Sequence, residues 1–188
     1  MELRERIRDQ LTRLRSKRLD AACPQEAAVL MPIFVRNGEP HFLLTRRTEE
    51  VRTHKGQISF PGGMRQDRES LQETALRETH EEVGIEPSRV EILGRFHDYV
   101  SITGYRVVPF AGYIEGAFIT VPQKSEVAEV LQVPFSIFTD STRLRTVPML
   151  RSGKMRDVYF YRFDPHEIWG LTAHIIKDFF DAIRLDIR

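Results

Sequence analysis

FPGGMRQDRESLQETALRETHEEVGI, residues 60 to 85, is the stretch on which the fold of this chain turns. Behind the Gly62-Gly63 turn, both ends of a helix are written locally. Ser70 followed three residues later by Glu73 is a capping-box pattern that predicts a start near Ser70, and Gly84 marks the end. At about 100° per residue, Leu76, Thr79 and Val83 share one face, while Glu78, Glu81 and Glu82 fall together on another. One face meets a core and the other is a cluster of carboxylates. Glu73 with Arg77 and Arg77 with Glu81 are i,i+4 pairs, so part of the cluster reads as a solvated, salt-bridged face worth a few tenths of a kcal/mol, about 0.3, per pair. Glu78 and Glu82 are different. They form an i,i+4 pair of like charge, which destabilises a helix unless a cation sits between them. Two carboxylates one turn apart, with a third adjacent, are hard oxygen ligands suited to Mg²⁺ or Mn²⁺.

Outward from this helix the chain reads as strands. "AAVLMPIFVR" (27 to 36) and "HFLLTRR" (41 to 47) flank "NGEP", where Asn37-Gly38 is a hairpin signal, and Pro32 reads as an edge or bulge feature. Residues 48 to 59 are polar and read as a loop. Further on, "RVEILGRFHDYV" (89 to 100), "YRVVPFAGYI" (105 to 114), "VAEVLQVP" (127 to 134) and "DVYFYRF" (157 to 163) are rich in β-branched and aromatic residues. Leu3, Ile7, Leu11 and Leu14 recur at helical spacing, predicting an amphipathic helix over about 2–19, with a basic arm as the sharper alternative. Leu171, Ile175, Phe179 and Ile183 predict a last helix over about 169–186. Helices before, amid and after the strands imply an α+β fold, a mixed sheet covered on both faces. With no repeat or linker to divide it, the chain reads as one domain over 1–188, its core at about 26–165.

Composition excludes several classes. The 28 Lys+Arg against 27 Asp+Glu leave a net charge of +1, which argues for neither nucleic acid nor membrane as partner. No apolar run is long enough to span a bilayer, and the Arg-rich start lacks the features of a targeting peptide, so the cytoplasm is the default location. Cys23 is the only cysteine, which rules out an internal disulfide and a thiolate metal cluster. His41, His80, His97, His166 and His174 have no ligand-like spacing and read as structural.

From Gly63 the chain has five residues, Glu69, seven residues, Arg77-Glu78, two residues, Glu81-Glu82, one residue and Gly84-Ile85. This resembles the signature box of the Nudix hydrolases at every fixed position. Seven fixed residues at average usage match by chance about once in ten million start points. Thr79 stands where that family usually has an apolar residue. Upstream, "LLTRRTEEVRTHKGQISFPGG" (43 to 63) resembles the second signature of the coenzyme A pyrophosphatase subfamily, with Thr48 in place of the usual Ser or Ala. "GYRVVPF" (104 to 110) and "IWGLTA" (168 to 173) are similar to that subfamily too, so the resemblance covers most of residues 26 to 185.

The resemblance implies an α/β/α sandwich and hydrolysis of the diphosphate bond of coenzyme A or its derivatives to 3′,5′-ADP and 4′-phosphopantetheine, with Mg²⁺ or Mn²⁺ as cofactor. It implies Glu78 and Glu82 as metal ligands, and Glu81 as a third ligand or a base acting through water. Glu69 and Arg77 would orient those ligands. Gly62, Gly63, Arg47 and Arg52 would meet the substrate, the Gly63 carbonyl lying within reach of the metal shell. His54 and Lys55 add cationic candidates on the same loop. For a general base outside the helix, Glu126 and Glu129 precede a strand, and Glu126 is favoured. Phe96, Tyr99 and Tyr105 are candidates for adenine or the pantetheine arm, with core packing their commoner fate. Another diphosphate substrate (ADP-ribose, a dinucleotide or a nucleoside triphosphate) and a non-catalytic nucleotide sensor are the competing readings. A homodimer is allowed for; the sequence leaves the oligomeric state open.

Overall fold

The computed structural model of the protein describes residues 2–19, 25–49, 56–151 and 153–183. In chain order the elements are α1 (Leu3–Arg13), β1 (Glu26–Arg36), β2 (Glu39–Arg47), β3 (Ile58–Ser59), β4 (Gly62–Met64), α2 (Leu71–Val83), β5 (Val90–Arg95), β6 (Tyr99–Val100) and β7 (Arg106–Ile114). They continue with β8 (Val127–Pro134), α3 (Phe135–Thr139), β9 (Leu144–Arg151), β10 (Lys154–Phe163), β11 (His166–Trp169) and α4 (Leu171–Ile183).

Strands β3-β2-β1-β7-β5 run side by side in a mixed sheet, joined by β4 on β1, β6 on β7 and β8 on β2. β1 and β7 pair in parallel from Glu26 opposite Arg106 to Ile33 opposite Tyr113. Side chains of β1 alternate between two cores, as the two-residue period of a strand requires. Met31 and Ile33, with Phe42 and Leu44 of β2, join Ile7 and Leu11 of α1 and Ile175, Ile176 and Phe179 of α4 on one face. Ala28 and Leu30 meet Ala75 of α2 on the other, beside a cluster of Phe34, Leu43 and Val83. Helices on both faces of a mixed sheet make this an α+β sandwich. Among the described residues no helix is long and apolar enough to cross a membrane.

Several expectations need correcting. α1 ends at Arg13, short of residue 19, because the backbone beyond it is captured elsewhere: Lys17 N–H donates to His97 Nδ1 (3.0 Å) and Leu19 N–H to Asp98 Oδ2 (3.1 Å). α1 itself lies on the sheet with Ile7 and Leu11 buried, and its Arg4 and Arg8 pair with Glu91. α4 begins at Leu171, since Trp169 belongs to β11 and Gly170 turns the chain with φ +70°. Pro32 is in an interior strand. Leu30 donates its N–H to the Pro61 carbonyl (2.9 Å), and two residues on, Pro32 faces the same side, between the residues that pair with β4 (27–29) and those that pair with β2 (33–36), where a missing N–H costs no ladder bond. The expected strand over 89–100 is two, β5 and β6. A second sheet, β11-β10-β9, extends the strands past residue 165, and α3 with β9 was invisible to the periodicity.

Candidate active site

α2 is capped as its sequence dictates: Glu73 N–H donates to Ser70 Oγ (3.2 Å), Ser70 N–H to Glu73 Oε2 (2.7 Å), and Gly84 closes the helix at φ +74° with its N–H on the His80 carbonyl (2.8 Å). Of the expected face, Thr79 and Val83 are buried while Leu76 is half-buried. Thr74, Ala75 and Glu82 are buried as well, and Thr79 satisfies its hydroxyl on the Ala75 carbonyl (2.7 Å) while packing in place of an apolar residue. The acidic residues therefore separate by depth: Glu81 is exposed, Glu78 mostly covered, and Glu82 only 5% exposed.

Burial is the main cause that lifts the Glu82 carboxyl to about 8, opposed by Arg47 and the Gly62 N–H and reinforced by Glu78 and Glu126. Arg47 at the end of β2 reaches only to 4.0 Å of Glu82 Oε1. Glu82 Oε2 and Arg47 Nε have no hydrogen-bond partner. Burial likewise raises Glu78, with Arg77 opposing it. The Glu78 carboxyl presses on Gly63 so closely that a Cβ there would come within 2.5 Å of it.

Arg77 binds the turn to the helix. Its Nε and Nη2 donate to both oxygens of Glu69 (3.0 and 2.8 Å), Nη2 also to the Met64 carbonyl (3.1 Å), and Nη1 to Glu78 Oε1 (2.8 Å) and Glu81 Oε2 (2.9 Å). Glu69 further accepts from Gln66 N–H (2.7 Å) and Thr74 Oγ1 (2.9 Å), and these bonds, Arg77's first, pull it down to about 2. A carboxylate lowered in the fold adds stability above its ordinary value of 4.5 and loses it as pH falls toward 2. Glu69→Gln is accordingly expected to melt below the parent at neutral pH, the gap closing as pH falls through that window, and to reduce activity about ten- to a hundredfold. A pH series of melts checks it, and a gap that persists at the acid end would refute the assignment.

A third segment completes the arrangement. Gln123 N–H donates to the Glu82 carbonyl (2.9 Å), Val121 N–H to that of Val83 (2.8 Å), and Thr48 N–H to that of Glu126 (3.0 Å). These bonds carry the exposed Glu126 to the same locus, where its charge acts on Glu78 and Glu82. Glu129 is drawn away, accepting from Arg46 Nε (3.1 Å) and lying 3.5 Å from His166 Nε2. Arg47, Gly62, Gly63, Glu69, Arg77, Glu78, Glu81, Glu82 and Glu126 thus come together. Arg52, His54, Lys55 and Cys23 lie outside the described residues. Phe96 is core, and Tyr99 donates to Asp178 on α4 (2.9 Å), away from the acidic helix.

Among the described residues no three acidic or imidazole side chains are already drawn into a ligand set, since Arg77 engages Glu78 and Glu81. The donor chemistry nonetheless fits a divalent cation. Glu82 is a buried carboxylate with one oxygen unpartnered, which costs about 1–3 kcal/mol or more unless a positive group meets it, and Arg47 at 4.0 Å does so poorly.

A NUDIX domain model matches residues 24–145. A protein described as an uncharacterized Nudix hydrolase NudL from Photorhabdus laumondii is 37% identical over 162 residues, covering 86% of each chain. A NudL of the same description from Yersinia pestis is 39% identical over 158 residues, covering 84% of this chain and 79% of its own. The crystal structure of a MutT/nudix family protein from Enterococcus faecalis has a TM-score of 0.55 at 17% identity, covering 98% of this chain and 70% of that one, a likeness of fold alone. The class is that of the pyrophosphohydrolases, which act on nucleoside diphosphate derivatives and generally use divalent metal ions. The chain belongs to the Nudix family.

Proposed function

We propose that the substrate is coenzyme A or an acyl derivative, cleaved at its diphosphate by water to 3′,5′-ADP and 4′-phosphopantetheine or its acyl form. The observation that carries the chemistry is the buried, half-unpartnered carboxylate of Glu82 one helical turn from Glu78. These two would hold Mg²⁺ or Mn²⁺, with Glu81 released from Arg77 as a third ligand. The ion supplies charge neutralisation for the diphosphate and activation of the attacking water. Arg47 faces the same oxygens and pairs with a phosphate once Glu82 is otherwise engaged. Glu126 takes the proton of the attacking water as the phosphorus–oxygen bond between the two phosphates breaks. Arg77, anchored by Glu69, keeps the glycine turn and the carboxylates in register.

Support for coenzyme A rests on the signature over 43 to 63, whose described ends lie on β2, β3 and β4 around this site. The test is to incubate the protein and Mg²⁺ with coenzyme A, acetyl-coenzyme A, ADP-ribose, NADH and dATP and to separate the products. Preferential release of 3′,5′-ADP is expected; cleavage of ADP-ribose alone would move the substrate to another nucleoside diphosphate derivative. Glu126→Gln is expected to lower turnover about 10²- to 10⁴-fold with little change in Mg²⁺ affinity. Unchanged turnover would remove Glu126 from the reaction.

A further inference from the structure

The second sheet has two faces of different character. Tyr161 and Ile168, paired across β10 and β11, are buried toward the core. One register along, Phe160 pairs with Trp169 on one side and Arg145 on the other, and their side chains share the opposite face. Trp169 lies parallel to Phe160, their planes 13° apart and centroids 6.1 Å apart. The Arg145 guanidinium stands 4.1 Å over the Phe160 ring and donates to Glu167 Oε1 (3.1 Å). Phe160 is 9% exposed and Trp169 is 38% exposed, so the strip is sheltered at Phe160 and reaches solvent at Trp169.

The strip is linked to the site already described through neighbouring residues. Gly170, directly after Trp169, sits against Gln57, whose side-chain nitrogen would be 3.5 Å from a Cβ placed there. The Gln57 carbonyl in turn accepts the N–H of Arg47 (3.0 Å), the cation that faces Glu82. Ile168 fills the core with no exposure, whereas Trp169 packs on Phe160 and still reaches solvent. An open aromatic face is what a nucleobase stacks on, with little dependence on which base it is. The exposed Arg145 over the neighbouring Phe160 is paired with Glu167 through one nitrogen, and its guanidinium has further N–H donors for the anionic groups a nucleotide carries.

We propose that Trp169 is the stacking platform for the purine base of the substrate, with Phe160 packed against the indole and Arg145 covering Phe160, an inference that rests on the chain acting on nucleoside diphosphate derivatives. Trp169 is the only tryptophan, so its emission reports on this position alone. ADP is expected to quench or shift that emission saturably, while inorganic pyrophosphate, which has no base, leaves it unchanged. Trp169→Ala is expected to raise KM for the hydrolysed nucleotide about ten- to a hundredfold with kcat changed less than about threefold, and Trp169→Phe to recover most of the loss. Emission unmoved by ADP at concentrations that saturate in equilibrium dialysis, or no ADP binding at all, overturns the proposal, as does a Trp169→Ala KM equal to the parent's. The ADP titration needs no turnover and so fails or succeeds separately from the coenzyme A reading, which the substrate panel alone decides.

Discussion

Glu82→Gln is expected to lower hydrolysis at least about a hundredfold, beyond what removal of a group that merely orients a metal ligand costs, and in the presence of a chelator to melt above the parent. The two effects have one cause. Glu82 is buried with an unpartnered oxygen, and its rise from the ordinary 4.5 to about 8 means that the surroundings, Arg47 included, disfavour its charge on balance. A carboxyl raised in the fold contributes stability that is complete below 4.5 and lost as pH rises through about 8. The glutamine cannot ionise, so without metal its advantage should be absent below pH 4.5 and grow across that window to about 1–3 kcal/mol. Added Mg²⁺ should reverse the order, since a ligand bound only by the native parent stabilises it in proportion to its affinity. Melts across pH, with chelator and with Mg²⁺, measure this. A variant that is no more stable than the parent in chelator at pH 8 and as active in Mg²⁺ would remove Glu82 from the metal site.

The adjacent glycines should fail in opposite ways. A Cβ on Gly62 would overlap the Ala28 carbonyl and come within 2.6 Å of Val29 Cα, both main-chain atoms of β1 that cannot yield without breaking the β1–β4 ladder. Gly62→Ala is therefore expected to destabilise the fold by about 1–3 kcal/mol or more. On Gly63 the nearest atoms to the Cβ are the carboxyl group of Glu78, the far end of a flexible side chain that yields by giving up its bond to Arg77. Gly63→Ala should melt within a few degrees of the parent, roughly 4 °C or less, yet lose activity about a hundredfold, the scale expected when a reacting geometry shifts by an ångström. Denaturant titration beside steady-state kinetics separates the two, and equal losses of stability would contradict the contacts assigned to each glycine.

How much of this was legible beforehand follows from what kind of force sets each feature. Local rules hold where local forces dominate: the Ser70–Glu73 box, the left-handed Gly84 and the Asn37-Gly38 hairpin all lie where the residues alone placed them. Depth is not local. One face of α2 carries Glu78, Glu81 and Glu82 in the sequence, but the height of the sheet beneath the helix buries Glu82 and leaves Glu81 in water. The end of α1 is not legible locally because His97 and Asp98, some 80 residues away, take the backbone that follows it. Of the second sheet only the strand over 157 to 163 shows in the sequence, because β9 carries Pro148 and alternates poorly, and the sheet is organised by cross-strand pairing. Trp169 lies in the quoted IWGLTA stretch, but its place on an aromatic strip emerges only from its pairing with Phe160, which in turn pairs with Arg145. The convergence of Arg47 and Glu126 on Glu82 likewise depends on main-chain bonds between distant segments.

Those main-chain bonds set which positions of this rim can be exchanged. The segment bearing Glu126 is hooked to the end of α2 and to Thr48 through amides and carbonyls, so any amino acid except proline at 121 and 123 can form the same attachments. A rim side chain such as the exposed Ile119 takes no part in these attachments, so exchanging it should alter what the rim touches while the machinery beneath keeps its shape.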